Sequence, residues 1–206
     1  MFLPLQFFLQ QFYPKLLVRA PLFYAWPLSI RFDLQHAELS TSQEAYFDEV
    51  VARASQLFGA AFAPHDPVLV VYQQVRYKRY RIRPGNYLLK QFQLTKALIH
   101  FQNIPSPYPR IPAPGKWVRA SFETSTAQIP LMALLKAISN QDFGRSPALH
   151  GRLFFLNQRT GLVFHMYDDR GLDILGPTPS SLRPLYTEHA ALLLEYDRAR
   201  IDALFT

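Results

Sequence analysis

Residues 140–176 read NQDFGRSPALHGRLFFLNQRTGLVFHMYDDRGLDILG, and the connections inside this stretch decide the fold. Three runs, RLFFLN (152–157), LVFHMY (162–167) and LDILG (172–176), are aliphatic and aromatic and have the length of ordinary strands. Gln158–Gly161 joins the first to the second, and Asp168–Gly171 joins the second to the third. A parallel pair needs a crossover of roughly a dozen residues or more, so these strands must pair antiparallel as a three-stranded meander. The first two are apolar on both faces, which predicts a sheet covered on both sides.

Working outward, LSIRFDL (28–34) alternates Leu28, Ile30, Phe32 and Leu34 against Ser29, Arg31 and Asp33, as a half-buried strand does. Thr41–Glu44 (TSQE) fits a capping box, and the helix it opens carries Phe47, Val50, Val51, Ala54, Leu57, Phe58 and Ala61 at helical spacing. Gly59 and Pro64 mark its end. PVLVVYQQV (67–75) is a β-branched run that reads as a central strand, whereas residues 87–103 fit helix or strand equally. Prolines 105, 107, 109, 112 and 114 make a stiff, extended surface loop. KWVRASFET (116–124) resumes strand, PLMALLKAIS (130–139) is a helix with Pro130 in its first turn, and a last helix is expected from about Ser181 to Leu204, burying His189 and Tyr196. Strands mixed with helices, without strict alternation, predict an α+β single domain with a mainly antiparallel sheet packed by helices. Residues 1–14 read as an amphipathic leader helix and 15–206 as the domain.

At 206 residues, 49% hydrophobic and 15% aromatic, the chain can bury a real core. A net charge of +7 favours acidic partners: nucleic acid, anionic lipid or acidic protein. The absence of cysteine excludes disulfides and thiolate metal sites. No run reaches the roughly 18 apolar residues of a membrane span, and the apolar start lacks the basic region of a signal peptide, so a soluble, cytoplasmic protein is expected.

The chemistry-bearing candidates are few. Asp142-Phe143-Gly144 matches a kinase tripeptide, but no Gly-rich loop, strand lysine or H-R-D loop accompanies it. As structure, Gly144 suits a left-handed helix end, and Arg145 suits a carboxylate partner. Asp168, Asp169 and Asp173, with Asp142, could form an oxygen-ligand cluster for magnesium or calcium. The competing reading makes Asp168–Gly171 a turn, with Gly171 at positive φ and Arg170 pairing an aspartate, and it is favoured because it accounts for every residue type. The six histidines form no zinc-protease pair, and His165 reads as a core or cleft histidine. No G-x-S-x-G elbow, P-loop or dinucleotide fingerprint occurs, so neither a cofactor nor a metal is expected. Arg76, Tyr77, Lys78, Arg79, Tyr80, Arg81 and Arg83 form a basic, tyrosine-rich segment. It fits a partner-binding surface, a nucleic-acid track or a charge-protected strand edge.

The stretches PLFYAWPLSIRFDL, ISNQDFG, LFFLN, VFHMYDDRGLDIL, LRPLY and LEYDRARIDALF resemble the bacterial domain-of-unknown-function family DUF3885. The specific elements are N-Q-D-F-G-R (Asn140, Asp142, Gly144, Arg145) and Y-D-D-R-G-x-D (Tyr167, Asp168, Asp169, Arg170, Gly171, Asp173). The resemblance brings no catalytic residues. It implies small bacterial proteins, some of them immunity proteins of polymorphic toxin systems. The expected function is therefore a non-enzymatic binding protein that neutralises a toxin by occlusion. A metal-dependent phosphate-handling enzyme and a nucleic-acid-associated protein are the alternatives.

Overall fold

The computed structural model describes residues 4–76, 86–94, 96–106 and 116–206. In chain order these form α1 (Pro4–Phe12), β1 (Ser29–Asp33), α2 (Glu44–Ala61), β2 (Pro67–Arg76), α3 (Tyr87–Gln91), β3 (His100–Ile104) and β4 (Lys116–Ser125). There follow α4 (Leu131–Ser139), β5 (Arg152–Asn157), β6 (Val163–Met166), β7 (Gly171–Leu175), α5 (Pro179–Glu188) and α6 (Arg198–Asp202). The seven strands form one sheet in the order β1-β7-β6-β5-β2-β4-β3, and every neighbouring pair is antiparallel. The chain is an α+β fold.

Alternation along each strand divides the core between the two faces of the sheet. Val68, Val70 and Tyr72 of β2, with Phe155 and Phe164, face the larger cluster built with Phe47, Val50, Leu57 and Phe58 of α2, Leu134 and Ile138 of α4, and Leu182 and Leu185 of α5. Leu69 and Val71, with Phe154, Leu156, Val163 and Leu175, face the other way onto Leu5 and Phe8 of α1 and onto Tyr13, Leu16, Val18 and Leu22. The second cover is mostly irregular chain, held by specific bonds: the Tyr13 hydroxyl donates to the Gly161 carbonyl at 2.6 Å, and Gln73 Nε2 donates to the Val18 carbonyl at 2.8 Å. Both faces of β2, β5 and β6 are apolar because both are covered.

Two local expectations are corrected. Helix α2 begins at Glu44 without a side-chain cap, so Thr41 and Glu44 form no capping box. The Gln43 side chain instead accepts from the Ser40 amide at 2.8 Å, and Glu44 is drawn away to Lys136 and Arg145. The long C-terminal helix is divided: α5 stops at Glu188, and two short 3-10 turns precede α6. The cause is β1, which among the described residues has no strand beyond it. Leu193 bridges to Phe32, and the Leu194 amide donates to the Arg31 carbonyl at 3.0 Å, so this stretch is extended where a helix was expected. Tyr196, expected to be buried, is 88% exposed. Among the described residues no helix is long and apolar enough to cross a membrane.

Candidate functional site

Both signature motifs come together at one end of the sheet. Antiparallel register places the start of β5, the end of β6, the start of β7 and the end of β1 side by side there, and α4 delivers its C-terminal turn to the same place. Asn140 closes α4, and its Nδ2 donates to the Pro147 carbonyl at 3.0 Å. Gln141 Nε2 donates to the Tyr167 carbonyl at 2.6 Å, which ties the first motif to the second. Gly144 adopts φ +64, the left-handed conformation expected of it. That turn sends Arg145 back over the Phe47 ring, 4.1 Å from its centroid, and into an ion pair with Glu44.

The carboxylates divide into two groups. Asp142, Asp168 and Asp169 have ligand atoms within 4.8 Å of one another. Asp173 does not join them; it is fully buried beneath Arg31. Arg31 Nε donates to Asp173 Oδ1 at 2.7 Å and Nη2 to Oδ2 at 3.2 Å, and the Phe23 amide donates to Oδ2 at 3.0 Å. The Arg31 guanidinium lies 4.9 Å from the ring centroids of Phe23 and Tyr24 and 5.4 Å from that of Tyr167. Burial pushes the Asp173 carboxyl up, and the hydrogen bonds and charge of Arg31 oppose it.

Asp168 behaves as a turn opener. Its Oδ1 accepts from the Arg170 amide at 2.9 Å, while Oδ2 accepts from the Arg170 guanidinium through Nε at 3.0 Å and through Nη2. Asp169 is held from elsewhere: the Tyr46 hydroxyl donates to its Oδ2 at 2.6 Å. Burial raises the Asp169 carboxyl, an effect the Tyr46 bond reduces, and burial together with that bond pushes the Tyr46 hydroxyl up to about 12. Gly171 corrects the expectation of positive φ, since its backbone lies outside that region. Glycine is needed there for space: a Cβ would meet the Tyr167 hydroxyl and would lie 2.6 Å from the Phe32 carbonyl oxygen.

Around these groups lie two adjoining clefts of about 450 and 530 Å³ that share Arg152, Asp168 and Arg170. The first also reaches Trp117, Gln141, Asp142 and His150; the second reaches Arg31, Asp33 and Tyr167. Charges of both signs line each cleft, an arrangement suited to a polar or zwitterionic surface. Sequence reasoning missed Arg31, Tyr46, Glu44 and Arg152. Their only local signals were Arg31 on the polar face of a strand and Arg152 at the head of the meander. Of the basic segment, Arg76 is the last residue of β2, with Lys116 as its backbone partner. Tyr77, Lys78, Arg79, Tyr80, Arg81 and Arg83 lie outside the described residues. Gln74 and Val75, just before them, line the first cleft.

The fold and cleft define an α+β protein whose two motifs build one charged rim at a sheet end. The chain belongs to the family Domain of unknown function (DUF3885), whose model matches residues 5–197 and so takes in all of α1 but its first residue. It is similar to the uncharacterised protein YnaE of Bacillus subtilis (strain 168), 28% identical over an alignment of 165 residues, with 73% of this chain and 76% of YnaE covered. No solved structure matches.

Proposed function

We propose that the chain is a non-enzymatic binding protein, and that it acts as a cytoplasmic immunity protein by occluding a toxin made by the same bacterium. One observation carries this reading: nearly every charged side chain of the two motifs already has a partner within the fold. Asp168 is taken by Arg170, Asp169 by Tyr46, Asp173 by Arg31 and Arg145 by Glu44. Such groups shape a rim and leave little freedom for acid–base work. The basic, tyrosine-rich segment Arg76–Arg83 starts beside that rim, and Arg and Tyr are the residue types that anchor protein interfaces. Co-expression with the product of the adjacent toxin gene is expected to restore growth. Arg79→Glu with Arg81→Glu is expected to abolish the rescue with the melting temperature unchanged. Failure of the wild type to bind or protect against that product overturns the immunity reading.

A second reading rests on the close approach of Asp142, Asp168 and Asp169, which would suit a metal-dependent phosphate-handling enzyme. Arg170 supplies a positive charge against the same carboxylates, and this argues for a turn. Titration calorimetry with magnesium, calcium and manganese is expected to give nothing tighter than about millimolar affinity, against the micromolar range of a dedicated oxygen cage. A stoichiometric micromolar site abolished by Asp169→Asn would establish the metal reading instead.

A further inference from the structure

The two edges of the sheet are treated differently. The outer edge of β1 is occupied by Leu193, which bridges to Phe32, and by Leu194, whose amide donates to the Arg31 carbonyl. At the other end β3 is the last strand, and no described residue pairs with its outer side. His100, Phe101, Gln102 and Asn103 are all exposed, and the strand HFQNI contains no Lys, Asp, Glu or Pro to blunt it. An unblunted edge presents a row of backbone donors and acceptors to any extended chain.

Charge along this part of the sequence is one-signed. Ten of the 22 Lys and Arg residues lie between positions 67 and 122, and none of the 15 Asp and Glu residues does. Within the sheet, Lys116 begins β4 and is exposed, and Arg119 of β4 stands opposite Gln102 of β3. Arg119 has a buried Nε with no hydrogen-bond partner and no carboxylate within ion-pair distance among the described residues. Burial also pushes its guanidinium down. Among the described residues, a positive group with no counter-charge is left one strand in from an edge that none of them covers.

We infer that the β3 edge accepts an acidic strand from a protein partner, whose Asp or Glu faces Arg119 and whose alternate aliphatic residues face Phe101. Neighbouring strands lie about 4.8 Å apart, so an added strand runs about 9.6 Å from β4, within the joint reach of an arginine and a glutamate side chain. Register puts His100 and Gln102 on the Arg119 face and Phe101 and Asn103 on the other. The occupant must therefore alternate acidic with apolar residues. A second copy of this chain is disfavoured, because it would bring the same cationic edge against itself. The inference rests on the reading of the chain as a protein-binding protein and specifies the chemistry of the partner.

The test uses the full chain and four probes: eight-residue peptides alternating Val with Glu or Val with Lys, an octaglutamate, and an eight-nucleotide oligouridine. The Val/Glu peptide is expected to bind most tightly, to weaken with added salt, and to slow hydrogen exchange of amides within residues 100–104. Gln102→Glu gives Arg119 a carboxylate from its own chain; it should leave the fold intact and weaken that peptide at least about tenfold. Tighter binding of oligouridine makes the edge a nucleic-acid surface and overturns the inference. Equal binding of octaglutamate with β3 amides unprotected reduces it to diffuse attraction, and β3 protection from self-association replaces the partner with a second copy. If the adjacent toxin binds while β3 amides exchange unchanged, the strand-addition inference falls and the immunity reading stands. If the Val/Glu peptide binds as described and the toxin does not, the immunity reading falls alone.

Discussion

Asp173→Ala is expected to destabilise the protein by about 3–5 kcal/mol, the cost typical of removing one member of a buried ion pair. Asp173 is fully buried and accepts three hydrogen bonds, two from Arg31 and one from the Phe23 amide. Removing the carboxylate leaves a guanidinium enclosed by Phe23, Tyr24 and Tyr167, with Asp197 3.8 Å away as the remaining acid. The expected observation is a urea midpoint shifted far down at constant slope, together with a Tm lowered by roughly 10 °C. The companion experiment is Arg31→Met with Asp173→Leu. An apolar pair of similar volume removes both desolvation costs, so the double variant should be more stable than Asp173→Ala by about 2 kcal/mol or more. A loss below about 1 kcal/mol for Asp173→Ala, within the range of an exposed pair, would show that solvent reaches the bond.

The same ion pair marks where the sequence stops being legible. Strand alternation and the four-residue connections of residues 152–176 allow only antiparallel neighbours, and β5, β6 and β7 are adjacent and antiparallel. The turn at Asp168 could be read because its partner, Arg170, is two residues away. Arg31 and Asp173 are separated by 142 positions and meet only because β1 lies beside β7 with Arg31 opposite Asp173. No local pattern specifies that neighbour. The Tyr46 bond to Asp169 is of the same kind, since it needs α2 to cross the end of β6. Glu44 was misread for a related reason. A capping box satisfies local preference, but two cations delivered by α4 and the turn after it compete for the same carboxylate and hold it. The break of the C-terminal helix near His189 follows suit: helical periodicity continues through Leu192 and Leu193, but the unpaired edge of β1 draws Leu193 and Leu194 into extended contact. For Glu44 and for the C-terminal helix the local signal was present, and a distant polar or backbone group overrode it.

His165 carries the second large expectation, a loss of stability on mild acidification. The ring is fully buried on β6, stacked on Phe154 with centroids 4.2 Å apart, and its Nδ1 lies 2.8 Å from the Leu153 carbonyl oxygen. Nε2 has no partner among the described residues, so a proton added there would be enclosed without an acceptor. Burial pushes the imidazole down to about 3; the Leu153 bond opposes that shift, and Arg152 reinforces it. The unfolded chain takes up this proton near pH 6.5 and the folded protein only near 3, so between these values the unfolded state holds the extra proton. Stability therefore falls as pH drops through this window, by about 1.4 kcal/mol per pH unit at full effect. Asp169 and Asp173, raised by burial, act with the opposite sign, because their folded forms keep protons that the unfolded chain releases. The comparison must therefore be between proteins that differ only at this position. His165→Phe keeps the ring and the stack on Phe154 and removes the titration. Urea unfolding of both proteins at pH 7, 6, 5 and 4.5 should show wild type losing about 2–3 kcal/mol more than the variant between pH 6.5 and 4.5. Parallel profiles would mean that His165 is protonated in the folded protein, and would place an unrecognised acceptor or solvent channel at Nε2.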